Sequence, residues 1–371
     1  MKKKTTYLHA LTPLRGIAAI WVMIFHIEAS LRYRNLGTLI DPDATGIVDK
    51  GYLWVDFFFL LSGFIIAHVY GQSLSAGLTL PKARAFLWAR FTRIYPLHLF
   101  VTLVLVVAVL LVPLAVPEVQ DGSWGAFFNW SALPYHLAMV NASTPFPVTT
   151  WNMPSWSIGA EWWAYVVALL LFPLFAHRHK TIQILATVAA FAGLIGLWAT
   201  FKERQLDLTF DYGWLRCLLE FPLGVALYRL YDRRIGASLL SRDPMAIGAL
   251  VAIGMLFHFQ APDIILVPVF GWLILAAAHN RGRVARVLEH SSLRYLGDIS
   301  YSIYLVHGVW FLAFWFIFTA RGTPIGEPQS LLWWQRIAYV LVFVVLTVAT
   351  SHFTYHYFEV AARQYLRRRF G

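Results

Sequence analysis

Long uninterrupted runs of apolar residues dominate the hydrophobic pattern of the chain. A helical span across a bilayer core about 30 Å thick needs roughly 20 mostly apolar residues. Stretches of about this length occur at 11–31, 52–71, 95–116, 155–176, 181–200, 213–230, 244–260, 262–279, 297–319 and 331–354. The runs are continuous and do not alternate in the short segments of a transmembrane β-barrel, which favours helices. The pattern therefore predicts an all-α polytopic membrane protein with about ten transmembrane helices.

The composition supports this prediction and excludes several other classes. The 371 residues are 59% hydrophobic and 13% charged, whereas soluble proteins have about 45–50% apolar and about 25% charged residues. So few charges exclude a soluble cytosolic enzyme, a disordered protein and a nucleic-acid binder, although the net charge is +11. With no segment left over for a soluble domain, residues 1–371 are expected to form a single integral-membrane domain. The single cysteine, Cys217, excludes an internal disulfide and a cysteine-rich metal site, and no metal is expected.

The distribution of lysine and arginine predicts how the chain is oriented. These residues concentrate in six segments, which are 2–4, 82–93, 178–180, 229–242, 281–294 and 363–369. The positive-inside rule places all six on the cytoplasmic side of the membrane. Both termini are then cytoplasmic, which requires an even number of spans. Residues 81–93 are predicted to form a short amphipathic cytoplasmic helix, with Pro81 in its first turn.

Ionisable side chains are costly within membrane spans and mark candidate functional sites, and five of those in the predicted spans are selected as candidates. They are Arg15, His26, Asp56, Glu161 and His307. Arg15 and His26 are eleven positions apart, which places them on one helix face and about 16 Å apart along the axis. An imidazole beside a carboxylate is the usual arrangement for a general base that acts on a hydroxyl. His26, Glu161, Asp56 and His307 are therefore candidate catalytic residues, although a structural polar network is an alternative that spacing does not exclude.

Two further groups of residues are candidates for ligand binding. Arg90 and Arg93 are one helical turn apart near the predicted cytoplasmic end of the third span, and such a pair can hold phosphates by charge-assisted hydrogen bonds. Ordinary positive-inside anchoring is the alternative. The predicted outer segment 117–154 is rich in aromatic residues, and Trp151 and the nearby Trp156 are candidates for stacking on sugar rings. An interfacial aromatic belt is the alternative for this segment.

Together these segments resemble the integral-membrane acyltransferase 3 family, whose members transfer acyl groups to extracytoplasmic carbohydrates. The resemblance covers most of the chain and rests on the order of five elements. These are Arg15 and His26 with ten residues between them, Val55–Phe64, Arg90-x-x-Arg93-Ile94-x-Pro96, Ser155–Glu161 and Ser300–His307. The family has a core of ten spans, in agreement with the number predicted from hydropathy and charge. The chain lacks the SGNH-type domain that some relatives carry, so a stand-alone form is expected.

The resemblance implies a reaction and a set of partners. An acyl group, most often acetyl, would move from cytoplasmic acyl-CoA to a hydroxyl of an extracytoplasmic glycan such as exopolysaccharide or O-antigen. Arg90 and Arg93 would bind the CoA phosphates, and Arg15 would lie along the path of the thioester. The expected partners are acyl-CoA, a glycan or lipid-linked sugar, the bilayer of a bacterial inner membrane and proteins of polysaccharide assembly, but no nucleic acid.

The resemblance also implies roles for the candidate catalytic residues. His26 would act as the general base that deprotonates the sugar hydroxyl. A carboxylate would orient this imidazole, with Glu161 favoured over Asp56. His307 would polarise the thioester or bind the acceptor. A mechanism in which His26 is itself acylated stays open.

Two other functions compete with acyl transfer. A proton-coupled secondary transporter would also place histidine, aspartate and glutamate within its spans, as a proton relay. Transporters often consist of repeated halves with broken helices at matching positions, and the chain shows no such repeat. An enzyme that uses a lipid-linked glycosyl donor would need acidic residues for a metal or a diphosphate in its outer loops, which are sparse in acids here.

Overall fold

The computed structural model describes residues 8–75, 77–120, 122–176, 180–317 and 330–370. Across these ranges the regular structure is helical, with no strand. The long helices are α1 Leu11–Tyr33, α2 Trp54–Ser75, α3 Leu80–Ala115, α4 Trp156–Ala176, α5 Lys180–Thr200, α6 Gly213–Asp232, α7 Asp243–His258, α8 Leu266–His279, α9 Ser300–Ile317 and α10 Trp333–Phe353.

Short helical segments connect or extend these ten helices. Single turns of 3₁₀ helix are Asp49–Leu53, Pro117–Val119, Trp130–Ala132, Met153–Ser155 and Asp263–Ile265. Short α-helices are Trp124–Phe127, Leu133–Leu137, Ala237–Leu240, Arg283–Leu288 and Ser291–Asp298. After α10 the chain continues through a π-helical turn, Thr354–Glu359, into a C-terminal helix, Val360–Phe370.

Each of the ten apolar stretches found in the sequence coincides with one of the long helices. Within the part of the chain that the structure describes, five helical segments are long and apolar enough to cross a membrane, and these are Leu11–Tyr33, Asp49–Leu74, Leu80–Ala115, Lys180–Thr200 and Trp333–Phe370. A sixth candidate joins Ser291–Asp298 to Ser300–Phe316 with a bend of 62°. The shorter apolar helices Asp243–His258 and Asp263–His279 fall below that length. The prediction of a helical membrane protein is confirmed, whereas the count of ten spans and the placement of the termini stay predictions.

The prediction of a separate amphipathic helix over residues 81–93 is wrong. These residues belong to α3, which runs unbroken from Leu80 to Ala115 and has Pro81 in its first turn. Pro96 lies inside α3, where it removes one backbone hydrogen bond. Membrane helices tolerate such a proline when neighbouring helices pack around it, and Leu97 and His98 beside it are buried. Residues 81–93 and nearly all of the apolar stretch 95–116 are therefore parts of one helix.

Helices α2 and α6 cross at unusually close range because each has a glycine at the contact. A Cβ atom added at Gly63 of α2 would collide with the carbonyl oxygen of Phe221. One added at Gly224 of α6 would collide with the carbonyl oxygen of Leu60. Small residues at a helix crossing allow the two backbones to approach each other in this way. This crossing fixes the relative position of the polar side chains that α2 and α6 carry.

The α2–α6 contact encloses a buried ion pair. The carboxylate of Asp56 accepts two hydrogen bonds from Arg216, one from Nε to Oδ1 at 2.9 Å and one from Nη2 to Oδ2. The two side chains are at most 1% exposed. Arg216 also lies 3.8 Å from a carboxylate oxygen of Glu220 and over the ring of Trp156. The structure thus pairs Asp56 with an arginine and not with a histidine, and its catalytic role stays a prediction.

We expect the Asp56–Arg216 pair to be essential for stability, because removing one partner leaves the other charge buried and uncompensated. Arg216→Gln should lower the free energy of unfolding by about 3–5 kcal/mol, measured by thermal unfolding in detergent. The control is Arg32→Gln, which removes the partly exposed pair with Asp49 and should cost about 0–1 kcal/mol. Equal, small effects of the two substitutions would contradict this role.

Candidate active site

A cavity of about 400 Å³ lies among α1, α2, α3, α4 and α9. Its lining residues on α2 run from Val55 to Val69. These residues are fourteen positions apart, which corresponds to about 21 Å along the helix axis. The cavity therefore extends through a large part of a bilayer core about 30 Å thick. Its two ends are called here the Tyr304 end, lined by Val55, Ser157 and Tyr304, and the Val69 end, lined by Leu8, His68 and Val69.

Three arginines line this cavity, Arg15 of α1 and Arg90 and Arg93 of α3. Arg90 donates a hydrogen bond to the Tyr70 hydroxyl at 3.2 Å and lies over the rings of Tyr70 and Tyr165. Among the residues that the structure describes, neither Arg15 nor Arg93 has a hydrogen bond or a close ion pair. Their guanidinium donors are therefore available to an anionic ligand, which arginine binds through several charge-assisted hydrogen bonds.

Glu161 of α4 lines the same cavity as the arginines. Its carboxylate oxygen Oε1 accepts hydrogen bonds from the hydroxyls of Ser62 and Tyr165. No hydrogen bond joins Glu161 to His26 within the described ranges. The expected pairing of Glu161 with His26 is therefore not formed, and the structure places Glu161 in the cavity instead.

The two predicted catalytic histidines contact each other. His307 Nε2 of α9 lies 3.3 Å from His26 Nδ1 of α1, and the ring centroids are 5.0 Å apart. His307 is fully buried, and His26 is half-buried. Sequence spacing could not place these residues together, because they are 281 positions apart in the chain.

The hydrogen bonds of the pair define which nitrogen of each ring carries the proton. His26 Nδ1 lies 2.9 Å from the carbonyl oxygen of Val22, and His307 Nδ1 lies 3.1 Å from that of Ile303. A carbonyl oxygen only accepts, so each Nδ1 is assigned a proton. The lone pair of His307 Nε2 then faces the Nδ1–H of His26. His26 Nε2 keeps a lone pair that no described residue uses, as a general base requires.

The cavity ends one helical turn from the histidine pair. Tyr304 lines the cavity, and its ring centroid lies 5.7 Å from that of His307. Phe58 lines the cavity beside it, with its ring 5.8 Å from that of Tyr304. Tyr304 thus contacts His307 and also lines the arginine-lined cavity.

Trp151 and Trp156, predicted to stack on sugars, are both covered by protein. Trp151 is fully buried, and its Nε1 donates to the carbonyl oxygen of Asn129 at 2.8 Å. Trp156 is 6% exposed and packs against Phe59 and Arg216. Neither ring offers a face to a sugar in this conformation, and their role in substrate binding stays a prediction.

The segment between α3 and α4 contributes a buried polar cluster that the sequence did not reveal. His98 Nε2 lies 2.8 Å from the carbonyl oxygen of His136, and His136 Nε2 lies 2.9 Å from the Thr150 hydroxyl. Asn141 donates to the Ser155 hydroxyl at 2.9 Å. Burial lowers the pKa of His136 to about 3, so its ring is neutral at physiological pH. Apart from His98 on α3, the partners lie within residues 136–155, but they are irregularly spaced, so no local pattern indicates the cluster.

Glu359 is a second residue whose environment only the structure shows. It ends the π-helical turn Thr354–Glu359 and is 4% exposed. Its Oε2 accepts a hydrogen bond from the Ser302 hydroxyl at 2.9 Å. Turns of π-helix often occur at functional sites, and the Glu359–Ser302 hydrogen bond links this one to α9, which carries Tyr304 and His307.

An arginine-lined cavity that ends beside a histidine pair, within a helical membrane protein, is an arrangement suited to group transfer from an anionic donor. The chain belongs to the acyltransferase 3 family, whose model, described as an acyltransferase domain, matches residues 8–355. The expected family is therefore confirmed, and the match covers every residue of the cavity and of the histidine pair.

Two named relatives are similar to the chain over most of its length, and a third is similar over a shorter part. It is 27% identical to Acyltransferase MdmB of Streptomyces mycarofaciens, over 94% of this chain and 89% of that protein. It is 22% identical to Peptidoglycan O-acetyltransferase OatA of Listeria monocytogenes serovar 1/2a, over 95% of this chain and 56% of that protein. A shorter match, 41% identical over 23% of this chain and 37% of the relative, is to Protein 2 in picA locus of Rhizobium radiobacter. No solved structure matches the chain.

The assigned histidine tautomers can be measured directly. Solid-state NMR of protein labelled with ¹⁵N-histidine should show His26 with a protonated Nδ1 and an unprotonated Nε2, because Nδ1 faces the Val22 carbonyl. Spectra of His26→Ala and His307→Ala assign the two signals by difference. A protonated Nε2 on neutral His26 would contradict the assignment.

Proposed function

We propose that the protein is a membrane O-acyltransferase that moves an acyl group, in the first instance acetyl, from acyl-CoA to a glycan hydroxyl. The observation that carries this proposal is the arginine-lined cavity that leads to the contacting His26 and His307. Membership of an acyltransferase family favours an enzyme over a secondary transporter. The name of the Listeria relative, a peptidoglycan O-acetyltransferase, supports a cell-surface glycan such as peptidoglycan, exopolysaccharide or O-antigen as the acceptor.

In the proposed topology, ten helices cross a bacterial inner membrane and both termini are cytoplasmic. The Val69 end of the cavity is then on the cytoplasmic side, where acyl-CoA is made. Arg90 and Arg93 bind its phosphates, and Arg15 lies along the path of its extended arm. The acyl thioester reaches the Tyr304 end, close to the histidines. The glycan enters from the opposite side of the membrane, so donor and acceptor meet inside the protein.

In the proposed reaction, His26 Nε2 accepts the proton of the acceptor hydroxyl while the hydroxyl oxygen attacks the thioester carbonyl carbon. The tetrahedral intermediate collapses with cleavage of the C–S bond, and the thiolate of CoA takes the proton from His26. The products are an O-acyl sugar and CoA. In this reaction the Nδ1–H of His26 is shared between the Val22 carbonyl oxygen and His307 Nε2, so His307 holds the ring and stabilises the imidazolium in the role expected of a carboxylate.

His26→Ala should abolish acyl transfer without loss of expression, because it removes the imidazole Nε2 that accepts the proton of the acceptor hydroxyl. The assay is incorporation of radiolabel from acetyl-CoA into ester-linked glycan in membrane vesicles. His258→Ala, which changes an exposed histidine far along the chain, is the control and should retain full activity. Transfer by His26→Ala at the rate of the unmodified protein would refute the role of His26.

Charge reversal at Arg90 or Arg93 should weaken acetyl-CoA binding by about tenfold or more, since a charge-assisted hydrogen bond is worth about 1.5–3 kcal/mol. Arg84→Glu is the matched control, because Arg84 is exposed on the same helix and does not line the cavity. Calorimetry on purified protein measures the affinities. Equal affinities for all three variants would mean that Arg90 and Arg93 serve only as membrane anchors.

A further inference from the structure

Two hydroxyl groups lie at the Tyr304 end of the cavity, where the other lining side chains are mainly apolar. Tyr304 of α9 and Ser157 of α4 both line the cavity, and their oxygens are 2.7 Å apart. Tyr304 is 5% exposed and Ser157 is 4% exposed. The neighbouring lining residues include Val55, Phe58 and Phe59. Hydrogen-bond donors in such a water-poor environment interact strongly with any charge that develops beside them.

Rotation of the hydroxyl hydrogens alone can free a hydrogen-bond donor for a ligand, with no movement of a heavy atom. Ser157 Oγ lies 3.2 Å from the carbonyl oxygen of Pro154, which can only accept. With the Ser157 proton directed to Pro154, the Tyr304 O–H donates to Ser157 Oγ. Rotation of the Ser157 hydroxyl toward the Tyr304 oxygen leaves the phenol proton free for a ligand in the cavity.

The position of Tyr304 fits the reacting end of the donor. Tyr304 precedes His307 by three residues on α9, so it lies on a neighbouring face of the helix, about 4.5 Å closer to the N-terminus of α9. Arg15 precedes His26 by eleven residues on α1, so it lies about 16 Å closer to the N-terminus of α1. A donor whose phosphates lie at the arginines and whose arm is extended thus presents its carbonyl group near Tyr304.

We propose that Tyr304 is a catalytic residue that donates a hydrogen bond to the thioester carbonyl oxygen, supported by Ser157. The inference rests on the proposed acyl transfer. When the acceptor oxygen attacks the carbonyl carbon, the C=O electron pair moves onto the oxygen, and the Tyr304 O–H stabilises that oxyanion. Collapse re-forms the C=O bond and expels the CoA thiolate, which takes its proton from His26. Tyr304 keeps its own proton throughout.

The neighbouring Tyr301 provides a matched control. It lies three residues before Tyr304 on α9 and also lines the cavity. Its hydroxyl donates to the carbonyl oxygen of Ile94 at 2.5 Å, so its proton is already committed to the backbone. Tyr301→Phe therefore removes a phenol from the same cavity and the same helix without removing a donor to the thioester.

The experiment compares Tyr304→Phe, Ser157→Ala and Tyr301→Phe by infrared difference spectroscopy of bound [1-¹³C]acetyl-CoA and [1-¹²C]acetyl-CoA on purified protein. In the unmodified protein the thioester carbonyl stretch should lie at lower frequency than in free acetyl-CoA, because the hydrogen bond polarises the carbonyl. Tyr304→Phe should lose most of this shift while acetyl-CoA affinity changes by less than about threefold. Ser157→Ala should lose part of the shift, and Tyr301→Phe should retain it.

Transfer rates complete the test. For Tyr304→Phe, the kcat for incorporation of label from acetyl-CoA into glycan by membrane vesicles should fall by about 10²–10³-fold, as it does when one oxyanion-hole donor is lost. The KM for acetyl-CoA should be nearly unchanged. A full carbonyl shift in Tyr304→Phe, or a normal kcat, would overturn the role of Tyr304 and leave acyl transfer intact. If the unmodified protein binds no acetyl-CoA, both the inference and the proposed function are refuted.

Discussion

The cost of placing charged groups inside an apolar helical bundle is the constraint on which this structure depends. A charge in such an environment must be paired, or it must face a polar cavity. Asp56 and Arg216 satisfy the first condition at the α2–α6 crossing, where Gly63 and Gly224 bring the two backbones together. Arg15 and Arg93 satisfy the second, because their side chains line the cavity. The way each charge is accommodated therefore separates residues that stabilise the fold from residues available to a ligand.

The same distinction organises the proposed chemistry. The arginines and Glu161 line one continuous cavity, whereas His26 and His307 lie just beyond its Tyr304 end. Donor binding and proton transfer are thus assigned to different groups, with Tyr304 lying between them. The histidine pair also removes the need for a carboxylate beside the base, because the Val22 carbonyl and His307 already define the tautomer of His26.

Hydropathy predicts the helices well because apolar runs long enough for a bilayer leave few alternatives, and all ten runs coincide with helices. It fails at Pro96, where packing of neighbouring helices keeps α3 continuous.

The candidate residues follow from the cost of polar groups in spans, but their partners do not. Arg216 is the partner of Asp56 across 160 positions of sequence, and only the crossing of α2 and α6 brings them together. The contact of His26 with His307 likewise depends on tertiary packing, and the family resemblance gave the residues without their geometry.

In the proposed function, the cavity holds a donor that enters from one side of the membrane, and the acceptor reaches the reacting carbonyl group from the other side. The most direct test uses purified protein in proteoliposomes of known orientation, with acetyl-CoA confined to the side of the Val69 end and a glycan acceptor confined to the opposite side. We expect acetyl ester to appear on the glycan while CoA is released on the donor side. Transfer that occurs only when acetyl-CoA and glycan share one compartment would contradict it.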